Sequence, residues 1–163
     1  MSNCISSEFE LYEPMRKWLQ QHIEDTYNGY RIETFDAHSQ QLDRVLAGLG
    51  IVNELAVGVG IQIDVLGIAR KNEIVKLFFI EAKKTVLNLR DLGQLLIYCK
   101  LIDPEEAYLF TSAELGSLDK LIRIHGREDL LDYGNKKTIK KIKIAKWDIN
   151  ANSPNILDMF PKI

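Results

Sequence analysis

The chain has 163 residues, 21 Lys plus Arg against 23 Asp plus Glu, a formal charge of -2, and 46% hydrophobic against 27% charged residues. That length suits one domain with a core that needs no metal or disulfide staple. The composition argues against disorder, collagen-like repeats and a coiled coil. A charge near zero neither demands nor excludes nucleic acid. Residues 1–60 are acidic, with four bases against nine acids, whereas 61–163 hold the other 17 bases against 14 acids. Six lysines fall between Lys136 and Lys146. This basic stretch has two readings, a polyanion site or a lysine-rich edge strand that resists aggregation.

The start, Met1 to Glu8, lacks the basic and apolar regions of a secretory signal, and no window approaches the ~20 apolar residues that span a bilayer. Cys4 and Cys99 give neither a zinc spacing nor a disulfide framework. The expected setting is cytoplasmic, with no membrane partner and no organic cofactor.

In chain order, Ser7 to Tyr27 predicts a helix. Ser7 and Glu10 have capping-box spacing, and Phe9, Tyr12, Met15, Trp18, Leu19 and Ile23 recur at helical period. Pro14 implies a kink, or a start near Glu13. Tyr30 to Phe35 alternates like a strand, and Gln40 to Leu49 suits a short helix. Ile51 to Val59 is ambiguous. Ile61 to Ala69 predicts a strand, Lys71-Asn72 a turn, and Glu73 to Lys83 a central strand around the apolar run Ile74–Ile80. Asn88, with Asp91 three residues on, caps a helix to about Ile102 that is apolar nearly all round and so expected to be largely buried. Asp103-Pro104 stops it. Ala107 to Thr111 predicts a strand, Leu115 to His125 a helix, and Thr138 to Trp147 a lysine-rich strand. Ile156, Leu157, Met159 and Phe160 are expected to dock the tail on the body. The predicted fold is α/β, one mixed central sheet flanked by helices.

Three charged residues stand where this pattern wants apolar ones: Asp64, Glu81 and Lys83. A buried carboxylate costs several kcal/mol unless it is paired or bound to a cation. Glu81 and Lys83 share a face because side chains alternate along a strand. In a hairpin about Lys71-Asn72, paired residues sum to about 145, which brings Asp64 opposite Glu81. Two adjacent carboxylates suit Mg²⁺, and a lysine beside them suits a phosphoryl transition state. A purely structural ion pair of Lys83 with either acid is the other reading. The three histidines (His22, His38 and His125) lack ligand spacing, no Walker loop or nucleophile elbow occurs, and Gly48-x-Gly50 reads as turn residues.

Asp64 followed after sixteen residues by Glu81-Ala82-Lys83, with an apolar strand entering and a helix leaving, resembles the PD-(D/E)xK nuclease superfamily, whose fold is restriction-endonuclease-like. Its core order of helix, three strands, helix and strand matches about 7–111, and 112–163 would be accessory within a single domain. Ile63 stands where the family name has Pro. The resemblance implies an Mg²⁺-dependent DNA endonuclease, with Mn²⁺ a possible substitute. Asp64, Glu81 and the Ala82 carbonyl would hold the metal and Lys83 would serve the attacking water. Family members often add a first-helix glutamate and a glutamine on the following helix. Glu8, in phase with Leu11, Tyr12, Met15 and Leu19, and Gln94 are the candidates. Lys84, Arg90 and the cluster including Lys136, Lys137, Lys140 and Lys141 would contact DNA phosphates. A homodimer is expected if both strands are cut. A catalytically inactive nucleic-acid- or protein-binding domain of the same fold is the alternative.

Overall fold

The computed structural model describes residues 4–162. Its centre is a hairpin of β2 (Val65–Lys71) and β3 (Ile74–Lys83), closed by a two-residue turn in which Asn72 takes the left-handed conformation (φ 55°). Asn tolerates that region better than most residues, which suits it to a hairpin turn. The antiparallel register runs from Lys71↔Ile74 to Val65↔Ile80.

Around this hairpin lies a six-stranded mixed sheet. β1 (Arg31–Asp36) pairs antiparallel with β2. β4 (Glu106–Thr111) and β7 (Lys143–Asp148) run parallel to β3, and β8 (Ser153–Pro154) closes the edge antiparallel to β7. The parallel β3–β4 connection is α3 (Leu89–Ile102), as a parallel crossover requires. A separate two-stranded sheet joins β5 (Asp132–Gly134) to β6 (Ile139–Lys141).

Helices cover both faces. α1 (Phe9–Thr26) lays Leu11, Met15, Leu19 and Ile23 on Val65, Phe78, Ile80, Tyr108 and Phe110. The other face packs Leu66, Ile68, Leu77 and Phe79 against α2 (Leu42–Gly48) and α3. Alternation along β2 and β3 therefore sorts the apolar residues into two cores, one per face.

Several predicted elements change in detail. β2 starts at Val65, because Ile61 and Ile63 are buried in an extended connection and Asp64 sits at a bend. Pro14 lies inside α1, while Glu10 accepts from the Ser7 N–H at 3.1 Å and the Ser7 Oγ accepts from Phe9 N–H. The Asn88 capping box is complete. The rest of α3 is less buried than its composition predicts: Leu89 and Ile97 are exposed, and the core contacts come from Leu92, Leu95, Cys99 and Ile102. The predicted Leu115–His125 helix is a short turn at Ser117–Asp119 running into a wider π-helical one at Lys120–Ile124. The lysine-rich strand is two strands in different sheets, divided where Ile142 N–H donates to Leu131 at 2.8 Å. The tail docks through Met159 and a bridge from Phe160 to Ile144, but Ile156 and Leu157 remain exposed. No helix among the described residues is long and apolar enough to cross a membrane.

Gly67 in β2 lets α1 approach the sheet. A Cβ there would lie 2.8 Å from Ile23 Cδ1, 3.0 Å from Leu19 Cδ2 and 3.1 Å from Phe78 Cβ. Gly67→Ala is therefore expected to lower the unfolding free energy by about 1–3 kcal/mol in denaturant titration, with the midpoint rather than the slope moving.

Candidate active site

The hairpin register that pairs Val65 with Ile80 continues one step outward to set Asp64 beside Glu81. Contact is direct at the backbone: the Ala82 N–H donates to Asp64 Oδ2 at 2.9 Å. Lys83, two residues past Glu81 on the same face, places its Nζ 3.4 Å from Glu81 Oε1. The second Glu81 oxygen, Oε2, is buried and has no hydrogen-bond partner. Glu81 is only 7% exposed, and it is the one charged residue among the described residues buried to that degree.

α1 brings a third acid. Glu8, at its start, accepts from the Lys84 N–H at 3.5 Å, and the Lys84 ammonium donates to the Ser6 carbonyl at 3.0 Å. Tyr12, one helical turn on, is buried and lies close enough to Asp64 for each to act on the other's charge. Asp91, in the first turn of α3, lies close enough to act on the charge of Lys83. The cluster thus sits at the carboxyl end of β3, where the starts of α1 and α3 meet.

Electrostatics follow from burial. Glu81 is pushed up to about 8, first by desolvation and then by the negative charge of Asp64, with Lys83 only partly offsetting them. Asp64 is also raised by burial, against the lowering effect of the Ala82 N–H. Burial pulls Lys83 down, but Glu81, Glu8, Asp64 and Asp91 together outweigh it and keep the ammonium charged. Glu106 at the start of β4 is the contrast. Burial raises it too, yet hydrogen bonds from His22 at 3.1 Å and Lys143 at 2.8 Å bring it down to about 2. One buried glutamate has two hydrogen-bond partners that outweigh its burial; the other has Lys83 alone, which does not.

The remaining predicted site residues are spread out. Gln94 is exposed, and its amide donates to the Tyr98 hydroxyl at 3.2 Å rather than to an acid of the cluster. Arg90 is exposed in the first turn of α3, near the cluster in the fold. Lys136 and Lys137 are exposed on the β5–β6 hairpin. Lys140 binds Asp103 at 3.1 Å, and Lys141 pairs with Asp132. Asp103 precedes β4 and β6 precedes β7, so these four lysines lie by the amino ends of the parallel strands, away from Lys83. Lys143 and Lys146 are likewise paired, with Glu106 and Glu114.

Tyr12 and His38 belong to this site although the sequence did not single them out. Tyr12 lies four residues from Glu8, on the same helical face, and that spacing was the available signal. His38 stacks on Tyr12 with ring centroids 4.8 Å apart and pairs with Asp36. Nothing in the sequence pattern foretells that stack, because it depends on how the chain leaves β1.

Asp64 and Glu81 bring hard carboxylate oxygens together, with Glu81 Oε2 the atom still lacking a partner, and the Ala82 carbonyl is the backbone oxygen between Glu81 and Lys83. No group of three His, Cys, Asp or Glu among the described residues is arranged to cage a metal unaided. Two carboxylates are within the number that a hard, water-retaining cation takes from protein. No protein-family model, no curated protein and no solved structure matches the chain.

The raised Glu81 carboxyl has a measurable consequence in the metal-free protein. An acid raised from 4.5 to about 8 on folding stabilises the fold fully below pH 4.5. That contribution is lost as pH climbs through about 8. In chelator, Glu81→Gln should match wild type at pH 4 and exceed it above pH 8, by on the order of 3–5 kcal/mol in denaturant unfolding.

Proposed function

We propose that this protein is an Mg²⁺-dependent DNA endonuclease with a restriction-endonuclease-like core. The observation that carries the reading is the buried, half-unsatisfied Glu81 set in register against Asp64, with Lys83 on the same face. The element order supports it, since α1, β1, β2, β3, α3 and β4 follow the helix, three strands, helix and strand of the nuclease core, with α2 inserted.

Asp64, Glu81 and the Ala82 carbonyl would hold the ion, which when bound supplies Lewis-acid polarisation of a phosphodiester. The chain's own groups do the rest. The Ala82 N–H fixes the Asp64 carboxylate, with the Tyr12 side chain packed nearby. Lys83, held charged by four acids, orients a water toward phosphorus and offsets the negative charge that develops in the transition state. Water adds to phosphorus, one P–O ester bond breaks, and the products are a phosphomonoester and a free hydroxyl. Arg90 and Lys84 would steady neighbouring phosphates, which position DNA without reading its sequence. One site per chain handles one strand, so cutting a duplex through would take a homodimer.

A second reading, a non-catalytic binding domain, rests on the Glu81–Lys83 contact at 3.4 Å. Asp64→Asn separates the two, because Asn still accepts from the Ala82 N–H. The nuclease reading predicts Mg²⁺-dependent plasmid nicking reduced by about 10²-fold or more, with a melting temperature equal to wild type or higher. A variant that melts lower and nicks as before would support the structural ion cluster. Failure of the wild type to cut duplex, branched or single-stranded DNA with Mg²⁺ would sink the enzyme. In DNA-binding titrations against salt, Arg90→Ala is expected to reduce the log–log slope by about one, and Lys137→Ala to leave it unchanged.

A further inference from the structure

Three aromatic rings line the approach to the acids. Phe9 follows Glu8 directly and opens α1. Its ring is 65% exposed, yet it is held in place, 5.0 Å from the His38 ring and 5.8 Å from the Tyr12 ring between centroids. Beneath it, Tyr12 and His38 stack at 4.8 Å with 28° between their planes. Asp36 fixes the imidazole, taking both its Nδ1 and the His38 backbone N–H. Tyr12 in turn lies beside Asp64, close enough to feel its charge. The platform is therefore continuous with the cluster: one residue, Tyr12, neighbours both the exposed ring and a predicted metal ligand.

The fold itself does not need Phe9. Leu11, Tyr12, Met15, Leu19 and Ile23 carry the docking of α1 on the sheet, and all are buried. An outward-facing aromatic backed by two more rings presents a flat, polarisable face. A nucleobase is the matching flat face in the substrate proposed above. In an intact duplex both faces of every base are covered by neighbours, so only a base outside the stack can use such a surface. The Lys84 ammonium, held 3.0 Å from the Ser6 carbonyl just before α1, supplies positive charge for the adjoining backbone.

We propose that Phe9 is a stacking platform for an unpaired nucleobase beside the scissile phosphate, which makes the preferred substrate DNA with a single-stranded segment rather than uninterrupted duplex. The inference rests on the nuclease reading for what the site does, and on the ring geometry for what it prefers.

The test uses emission rather than cleavage. Phe9→Trp puts an indole at the platform, with wild type as the control for Trp18 and Trp147. In chelator, an oligodeoxythymidylate should quench the added emission, and a blunt duplex should not. Phe9→Ala should bind the single strand roughly tenfold more weakly and the duplex within about twofold of wild type. Its melt should match wild type, because the ring is exposed. Equal quenching by both DNAs, no quenching by either, or unchanged single-strand affinity in Phe9→Ala overturns the platform. So does a blue shift that grows with protein concentration and not with DNA, which would make the ring a protein contact. Quenching by the single strand in a protein that cuts no DNA upholds the binding surface and removes the nuclease reading alone.

Discussion

Pairing register in one hairpin is the constraint on which the site depends. The two-residue turn at Asn72-Glu73 aligns Val65 with Ile80, and that alignment alone brings Asp64 to Glu81. Side chains alternate, so a slip of one residue would move Glu81 and Lys83 to the α1 face and bury Phe78 and Ile80 on the wrong side. The two apolar cores prevent this. Each strand carries a large residue for each face, and the register that fills both cores also assembles the charged cluster. Packing energy thereby fixes a polar geometry that would be unfavourable by itself.

The basic stretch near the C-terminus is organised differently from its composition. Lys140, Lys141, Lys143 and Lys146 each meet a carboxylate, so much of the positive charge is neutralised locally. Lys83, at the carboxyl end of β3, lies instead among four acids that hold it charged. Net charge near zero thus conceals two arrangements, one closed by ion pairs and one concentrated at a single end of the sheet.

How legible this was varies with the range of the interaction. The central strands, the Asn88 cap and the Asp64–Glu81 approach follow from local pattern and counting along a hairpin, and the structure has them. Helical phase placed Glu8 on the buried side, and it reaches Lys84. The division of the lysine-rich segment was hidden, because one alternating run served two sheets separated at Ile142. Exposure of Leu89 and Ile97 was also hidden, since apolar composition does not say how much of a helix its neighbours cover. Gln94 has the spacing that the resemblance asks for, and the contact its amide makes in the fold, with Tyr98 on its own helix, is not one that spacing reveals. The His38 stack needs the path of the chain between β1 and α2, which no periodicity encodes.

The contact between Glu8 and Lys84 spans 76 positions, and that between Ser6 and Lys84 spans 78. By contrast, the hairpin that joins Asp64 to Glu81 closes a short loop. Loop-closure entropy favours the short loop first, so the hairpin acids can meet before the first helix arrives. Assembly then has an order: the third like charge is added when α1 docks and its apolar face is buried. The repulsion that Glu8 adds is incurred at the step that buries the apolar face of α1, which ties completion of the cluster to helix docking rather than to local strand pairing.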